Sequence, residues 1–140
     1  MATLGQKQEM FSFFLGRLLA FAYSRGYKIR LKELLRSDEQ AIIHALSPTA
    51  RMNLVNVLRN SGYQELGDAL KNNVGRGIKN SLHTKGLAVD LYIFRDGLEC
   101  KFEDYQTLGK FWKELYTENR WGGDFPGDIY HFSIEHAGIK

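Results

Sequence analysis

The sequence contains a single cysteine, Cys100, and this scarcity excludes two kinds of small stabilised fold. One thiol cannot form an intramolecular disulfide, and it cannot supply the several ligands of a cysteine-rich zinc finger. The chain also lacks a basic stripe interleaved with aromatic residues, because Lys and Arg alternate with Asp and Glu along most of its length. A dedicated nucleic-acid-binding protein is therefore not expected.

Long hydrophobic segments are also missing. The longest apolar run, over 10–23, is interrupted by Arg17 and is not followed by a small-residue cleavage site. A membrane helix needs roughly 18 or more consecutive apolar residues, and a secretory signal needs a cleavage site after its apolar region. We therefore expect no integral membrane segment and synthesis as a cytoplasmic protein.

The composition is that of an ordinary folded protein. The 140 residues are 44% hydrophobic, 13% aromatic and 25% charged, with a formal net charge of +3. This length suits one compact domain, and the apolar content is sufficient for a core. No internal repeat, low-complexity tract or linker is visible, so we predict one domain spanning 1–140.

Hydrophobic periodicity predicts a mixture of helices and strands. An amphipathic helix that Gly26 ends is expected over 11–23, and Ser37 with Gln40 forms a capping box for the next helix. The glycines and asparagines over 72–79 indicate a flexible loop, and 95–97 a hairpin turn. Further helices are expected over 37–45 and 103–116, and strands over 27–35, 87–94 and 130–134. The section 47–73 is expected to form a helix, a break at Ser61 and Gly62, and a short helix over 66–70. The combination favours an α+β fold with a small antiparallel sheet and helices packed around it.

The segment over 81–90 places His83 and Asp90 seven positions apart. Alternation over 87–94 puts the apolar residues on one face of a strand and Asp90 on the other. A turn at Gly86 lets the two side chains converge. Imidazole nitrogen and carboxylate oxygen suit Zn²⁺ at about 2.0–2.2 Å, and a catalytic zinc site needs three protein ligands. The third ligand has to come from elsewhere in the chain.

A second candidate segment, 121–133, carries Asp128 three residues before His131. In a regular strand their side chains would face opposite sides. If Asp128 lies in the loop just before the strand, its carboxylate can turn back toward a metal bound by His131 and accept a proton from water. A metal-dependent hydrolase requires this arrangement.

These two segments resemble the motifs of the VanX- and VanY-type D-alanyl-D-alanine peptidases and the related phage L-alanyl-D-glutamate endopeptidases. The pattern Ser-x-His-x-x-Gly-x-Ala-x-Asp is met at Ser81, His83, Gly86, Ala88 and Asp90. The second motif, an acidic residue before an aromatic residue and the metal histidine, is met at Asp128, Tyr130 and His131. The resemblance runs over about 27–133 and is specific at these two motifs.

The resemblance implies a zinc peptidase that cleaves peptidoglycan stem peptides, with zinc held by His83, Asp90 and His131 and with Asp128 as general base. The family also carries an upstream arginine, followed by a polar stretch and Gln, that stabilises the oxyanion. The segment 36–40 resembles it, which gives this role to Arg36.

Several alternatives remain open for these residues. Asp124 and Glu135 compete with Asp128 as the base, since both are close to His131 in sequence. Arg36 is also placed to form an ordinary ion pair with Glu33 or Glu39.

Two further residues are candidates for substrate binding. Trp121, beside a pair of glycines, is a candidate wall of the substrate site, although a packed aromatic over a tight turn explains it equally well. Ser81 suits a role in bracing the loop by hydrogen bonding rather than that of a nucleophile.

Two differences between this chain and the family pattern bear on its branch of the family and on its substrate. The D-alanyl-D-alanine dipeptidases use Glu as the base, so the shorter Asp128 favours the phage endopeptidase branch. The insertion over 47–73 matches nothing in the family and is a candidate for reshaping the substrate groove.

We therefore expect a monomeric phage-type endolysin with no separate wall-binding domain. It would cleave the L-alanyl-D-glutamate bond, be made in the host cytoplasm and reach the wall after release. A D-alanyl-D-alanine carboxypeptidase, or an inactive zinc module that binds wall peptides or builds a phage particle, are the alternatives.

Overall fold

A computed structural model of the chain describes residues 1–72, 81–125 and 127–140. The chain forms two compact units. The sheet unit comprises Met1–Arg36 and Leu82–Lys140, and the helical unit comprises Ser37–Ser81. The single-domain organisation stays a prediction. All but the first residue of the loop predicted over 72–79 lies outside the described residues.

The described residues form five helices and five strands. The helices are α1 (Leu4–Ser24), α2 (Asp38–His44), α3 (Pro48–Asn60), α4 (Gln64–Asn72) and α5 (Phe102–Leu115). The strands are β1 (Lys28–Glu33), β2 (Ala88–Arg95), β3 (Leu98–Glu99), β4 (Asn119–Trp121) and β5 (His131–Ile134). Among the described residues no helix is long and apolar enough to cross a membrane.

The sheet has the strand order β1-β2-β5-β4, with β3 paired to β2, and every pairing is antiparallel. This confirms the predicted α+β fold with an antiparallel sheet. Asp96 and Gly97 both have positive φ, as the tight turn between β2 and β3 requires. Strand β4 was not predicted, because three residues are too few to show an alternating pattern.

The core of the sheet unit lies between one face of the sheet and helices α1 and α5. The alternate residues of the predicted strand supply its centre and are fully buried, as expected: Leu87, Val89, Leu91 and Ile93. Leu18 and Ala22 of α1 and Leu108 and Trp112 of α5 belong to the same cluster. The opposite face of β2 is therefore left available for polar residues.

The helical unit begins as its sequence predicts. Ser37 caps α2, its side chain accepts from the Gln40 amide, and the Gln40 side chain accepts from the Ser37 amide, which confirms the capping box. Helix α3 ends at the predicted break, where Gly62 has φ of +89°. The insertion over 47–73 consists mainly of α3 and α4.

Candidate metal centre

Adjacent strands of the sheet bring three polar residues into one row. Asp90 on β2 lies opposite His131 on β5 and opposite Glu33 on β1. Directly opposed residues of an antiparallel pair project from the same face, so these side chains share the face that is turned away from the core. Strand pairing thus joins Asp90 and His131, which are 41 positions apart in the sequence.

His83 reaches the same place from a short 3₁₀ turn, Leu82–Lys85, that precedes β2. The turn closes through the amide of Gly86, which donates to the His83 carbonyl over 3.3 Å. Gly86 has φ of +65°, a conformation that L side chains rarely adopt, so the glycine permits the reversal. The turn that the sequence predicts at this position is confirmed.

The three predicted ligands converge on one point. Asp90 Oδ1 lies 3.3 Å from His83 Nε2 and 3.2 Å from His131 Nδ1. One ligand atom from each residue lies within 4.8 Å of the other two. For zinc bonds near 2.1 Å, a tetrahedron has ligands about 3.4 Å apart, so the two measured separations fit a tetrahedral zinc site closely.

The electrostatics of this cluster suit a cation. Burial of the Asp90 carboxyl acts to raise its pKa, but hydrogen bonds with His131 and His83 outweigh this effect. They hold the pKa of Asp90 well below its ordinary value, so the group is an ionised carboxylate at neutral pH. His83 is only 3% exposed, which fixes its ring beside the carboxylate.

Asp128 lies in the loop immediately before β5, as the sequence predicts for a base. The residue is exposed, but partial desolvation of its carboxyl and the nearby charge of Asp90 raise its pKa. The loop packs closely against Gly122, where an added Cβ would lie 2.2 Å from the Asp128 carbonyl oxygen. A glycine at this position therefore sets the path of the loop.

The two competing carboxylates are engaged elsewhere. Asp124 forms an ion pair with Lys113 at 2.6 Å, and Glu135 forms one with Arg120 at 2.6 Å. Neither belongs to the group of possible metal ligands in the described residues. Asp128 is the carboxylate whose pKa responds to Asp90 and both histidines, which favours it as the base.

Arg36 is held beside the cluster by Glu33. Its guanidinium donates to both Glu33 carboxylate oxygens, at 2.8 and 2.5 Å. The two side chains are 12% and 26% exposed, so this pair is less exposed than an ordinary surface ion pair. The Arg36 amide also donates to the His83 carbonyl over 3.2 Å, which ties Arg36 to the turn that carries a ligand. The pairing with Glu33 is thus real, and the oxyanion role of Arg36 stays a prediction.

The two predicted substrate-binding residues have different surroundings. Trp121 is 2% exposed, and its indole nitrogen donates to the Ile129 carbonyl over 2.9 Å. Its ring fills the space beside Gly109 and Gly123, which favours the packed-aromatic alternative over a substrate wall. Ser81 is the last residue of the helical unit, and its substrate-binding role stays a prediction.

The sequence patterns did not identify Lys32 and Tyr92 as candidate site residues. The two side chains are hydrogen-bonded to each other on the same face of the sheet as Asp90. The alternation of β2 carries the signal for Tyr92, because residues 90 and 92 must share a face. Alternation likewise puts residues 30 and 32 on one face of β1, but the partner of Lys32 on β2 is not predictable, since the register shifts there.

The chain matches no protein-family model and no curated protein sequence. Among solved structures it is similar to a variant of VanY, a vancomycin-resistance D,D-pentapeptidase from the VanB-type resistance cassette, in complex with Zn(II). The TM-score is 0.52 and the identity 18%, over 89% of this chain and 70% of that chain. A VanYB complex with D-Ala-D-Ala gives 0.52 and 19%, over 89% and 69% of the two chains.

The L-Ala D-Glu endopeptidase ChiX of Serratia marcescens gives a TM-score of 0.47 and 19% identity, over 86% of this chain and 77% of that chain. The two VanY structures, each with a TM-score of 0.52, show the fold of this protein. The chain has the fold of the VanY D,D-peptidases. Its segments 81–90 and 121–133 resemble the two motifs of the same enzymes.

Proposed function

We propose that this protein is a zinc-dependent peptidase that hydrolyses the stem peptides of peptidoglycan. The observation that carries the proposal is the convergence of His83, Asp90 and His131 on one point, at separations suited to zinc. Two structures with the same fold support it, since one contains Zn(II) and the other D-Ala-D-Ala.

The residues of the site would divide the work between them. His83, Asp90 and His131 would hold the metal, which supplies Lewis acidity when bound and makes water a stronger acid. Asp128 lies beside the cluster with a raised pKa, so its carboxylate is suited to take a proton from the attacking water and pass it to the leaving amine. Arg36 would donate to the developing oxyanion from the guanidinium N–H groups that Glu33 does not engage.

For the bond that is cut, we propose the L-alanyl-D-glutamate bond, as in a phage-type endolysin made in the host cytoplasm and released to the wall. The aspartate at position 128 supports this branch through the family resemblance. The fold shared with the D-Ala-D-Ala complex favours the second candidate, a D-alanyl-D-alanine carboxypeptidase.

Mass spectrometry of digested wall peptides tests the activity and separates the two bonds. The zinc-loaded protein is incubated with purified peptidoglycan, and an endopeptidase is expected to release products cut after the first alanine. A carboxypeptidase would instead release a terminal alanine. We expect the Asp128→Asn protein to bind zinc but to show no turnover. The His131→Ala protein should lose both zinc binding and turnover.

The proposal is contradicted if protein with one zinc bound releases no more amino groups from peptidoglycan than the His131→Ala protein does. If the protein binds zinc but shows no turnover, and Asp128→Asn changes neither property, the result would instead support an inactive wall-binding or structural module.

Arg36→Ala tests the oxyanion role separately. We expect kcat to fall roughly a hundred- to a thousandfold, the usual effect of removing one oxyanion contact. Zinc content, measured by metal analysis, should not change, because Arg36 is not a ligand. A kcat within threefold of the unchanged protein would leave Arg36 only its structural pairing with Glu33.

A further inference from the structure

A positively charged and aromatic surface continues from the metal centre along the exposed face of the sheet. Asp90 and Tyr92 alternate on β2 and share this face, and Arg30 on β1 lies opposite Tyr92. Tyr130 packs edge-on against Tyr92, with ring centroids 4.7 Å apart. We call this surface the cationic strip; its members are Arg30, Lys32, Tyr92, Phe94 and Tyr130.

Lys32 shares this face with Arg30, because residues two apart on a strand project from the same side. The register shift between Leu31 and Glu33 brings Glu33 onto the same face, opposite Asp90. The Lys32 ammonium donates to the Tyr92 hydroxyl over 2.5 Å and lies 4.8 Å from the centroid of its ring. The ammonium group has three donors, so two remain for another acceptor.

The cations of the strip contact aromatic groups instead of carboxylates. Arg30 lies over the ring of Phe94, with Cζ 4.0 Å from the centroid. Within the described ranges, neither Arg30 nor Lys32 has a carboxylate oxygen within 4.0 Å, whereas Lys113 and Arg120 are both paired with acidic residues. No direct ion pair therefore neutralises these two cations, and they can attract anionic groups, although Glu99 on β3 lies opposite Phe94.

The strip adjoins the atoms that would cut a peptide. Tyr92 is two residues from Asp90, or about 7 Å along an extended strand, and Tyr130 immediately precedes His131. The hydrogen bond with Tyr92 raises the pKa of Lys32, and the charges of Asp90 and Glu33 add to this effect. Lys32 immediately precedes Glu33, which lies opposite Asp90, so it lies beside the metal centre without belonging to the possible ligand set.

We propose that Lys32, oriented by Tyr92, binds a carboxylate of the substrate peptide beside the bond that is cut. This inference rests on the proposed peptidase function and defines its substrate class as peptides with a free carboxylate near that bond. Two stem-peptide groups have this chemistry: the α-carboxylate of γ-linked D-glutamate and the C-terminal carboxylate of D-alanine. Both are absent when the same position carries a carboxamide.

Calorimetry with matched peptide pairs tests the inference without depending on turnover. Zinc-loaded Asp128→Asn protein is titrated with L-Ala-γ-D-Glu-L-Lys and with its D-isoglutamine counterpart, which differs only in the α-carboxamide. A second pair compares a peptide that ends in D-Ala-D-Ala with its C-terminal amide. Each titration is repeated with Lys32→Met added, and with Lys28→Met as a control on the same strand. Lys28 lies over the ring of Tyr23, with its ammonium 5.3 Å from the centroid.

We expect Lys32→Met to weaken binding of the acid member of one pair roughly ten- to a hundredfold, as for the loss of a charge-assisted hydrogen bond. Its amide partner should bind equally well with and without Lys32, and Lys28→Met should change neither. The pair that responds identifies which carboxylate is bound.

The inference is overturned if Lys32→Met weakens acid and amide peptides alike, affects neither, or if no peptide binds. If Lys32 selects the acid peptide but the zinc-loaded protein with Asp128 intact does not cleave it, the peptidase proposal is overturned and Lys32 keeps only a carboxylate-binding role. Cleavage of both members at equal rates, with and without Lys32, would overturn the inference and leave the peptidase proposal standing.

Discussion

At the scale of single residues, the row Glu33, Asp90 and His131 shows how one sheet face serves two purposes. Asp90 and His131 converge with His83, while Glu33 is neutralised by Arg36. Glu33 lies opposite Asp90 but is not among the possible metal ligands of the described residues. The Arg36 guanidinium engages both of its carboxylate oxygens instead.

The stability of this pair should depend on pH in a defined direction. The Arg36 hydrogen bonds lower the pKa of Glu33 from its ordinary value of 4.5, against the opposing effect of burial. Well above pH 4.5 the carboxylate is ionised in both the folded and the unfolded state, so the pair contributes fully to folding. As the pH falls toward the lowered pKa, the unfolded state takes up the proton first and this contribution is lost.

We therefore expect Glu33→Gln to reduce the free energy of unfolding by roughly 1–3 kcal/mol at pH 6.5, and by clearly less at pH 3.5. Urea unfolding of the metal-free protein, followed by circular dichroism, measures both values. Glu9→Gln, at an exposed position of α1, controls for the loss of one negative charge. An equal effect of Glu33→Gln at both pH values would contradict the assigned role of the pair.

The sequence also shows how far residue patterns predict a site. His83, Asp90, His131 and Asp128 were predicted because each belongs to a motif in which several positions are fixed together. Trp121 was ambiguous, since an aromatic residue beside glycines suits a substrate wall or a packed turn equally well. Its burial depends on α5, which sequence proximity does not reveal.

At the scale of elements, the contact between α5 and β4 fixes the segment that leads to the metal centre. Gly109 of α5 lies against the ring of Trp121, and a Cβ at this position would be 2.2 Å from the ring atom Cδ2. Trp112 of α5 donates to the carbonyls of Arg120 and Ser133, at 3.1 Å each. The helix therefore aligns β4 with β5, the strand that begins with His131.

We expect Gly109→Ala to lower the free energy of unfolding by roughly 1–3 kcal/mol, because the added methyl overpacks the contact with Trp121. Gly16→Ala in α1 is the matched control, since its Cβ would meet nothing within 4 Å. That change should stabilise the protein by about 0.5–1 kcal/mol, through the higher helix propensity of alanine. Thermal unfolding of both variants measures these effects, and a stabilised Gly109→Ala would contradict the packing described.

Element prediction succeeded where the periodic pattern was long. The alternation of β2 and the amphipathic stripes of α1 and α5 follow directly from burial on one face. The short β4 and the 3₁₀ turn that carries His83 gave no pattern, because their geometry is set by the elements packed around them.

At the scale of the whole molecule, the antiparallel sheet joins two distant segments, 81–90 and 121–133, into one site. Asp90 and His131 come together only when β5 pairs with β2, and this pairing has no local sequence signal. The fold class was predictable from the mixture of elements, whereas the strand order β1-β2-β5-β4 was not. Motif resemblance supplied the long-range information that periodicity lacks.

The chain divides into a sheet unit and a helical unit. The segment rich in glycine and asparagine over 72–79 precedes the boundary at Ser81, whereas no such segment marks the boundary at Ser37. All four residues predicted to bind the metal or act as the base belong to the sheet unit. The insertion contributes none of them.

The most direct test of the central claim is anomalous diffraction at the zinc edge from crystals of the zinc-loaded protein. We expect one strong peak, about 2.0–2.2 Å from His83 Nε2, His131 Nδ1 and an oxygen of Asp90. A zinc ion bound elsewhere, with these three side chains too far apart to share it, would contradict the metal centre and the peptidase built on it.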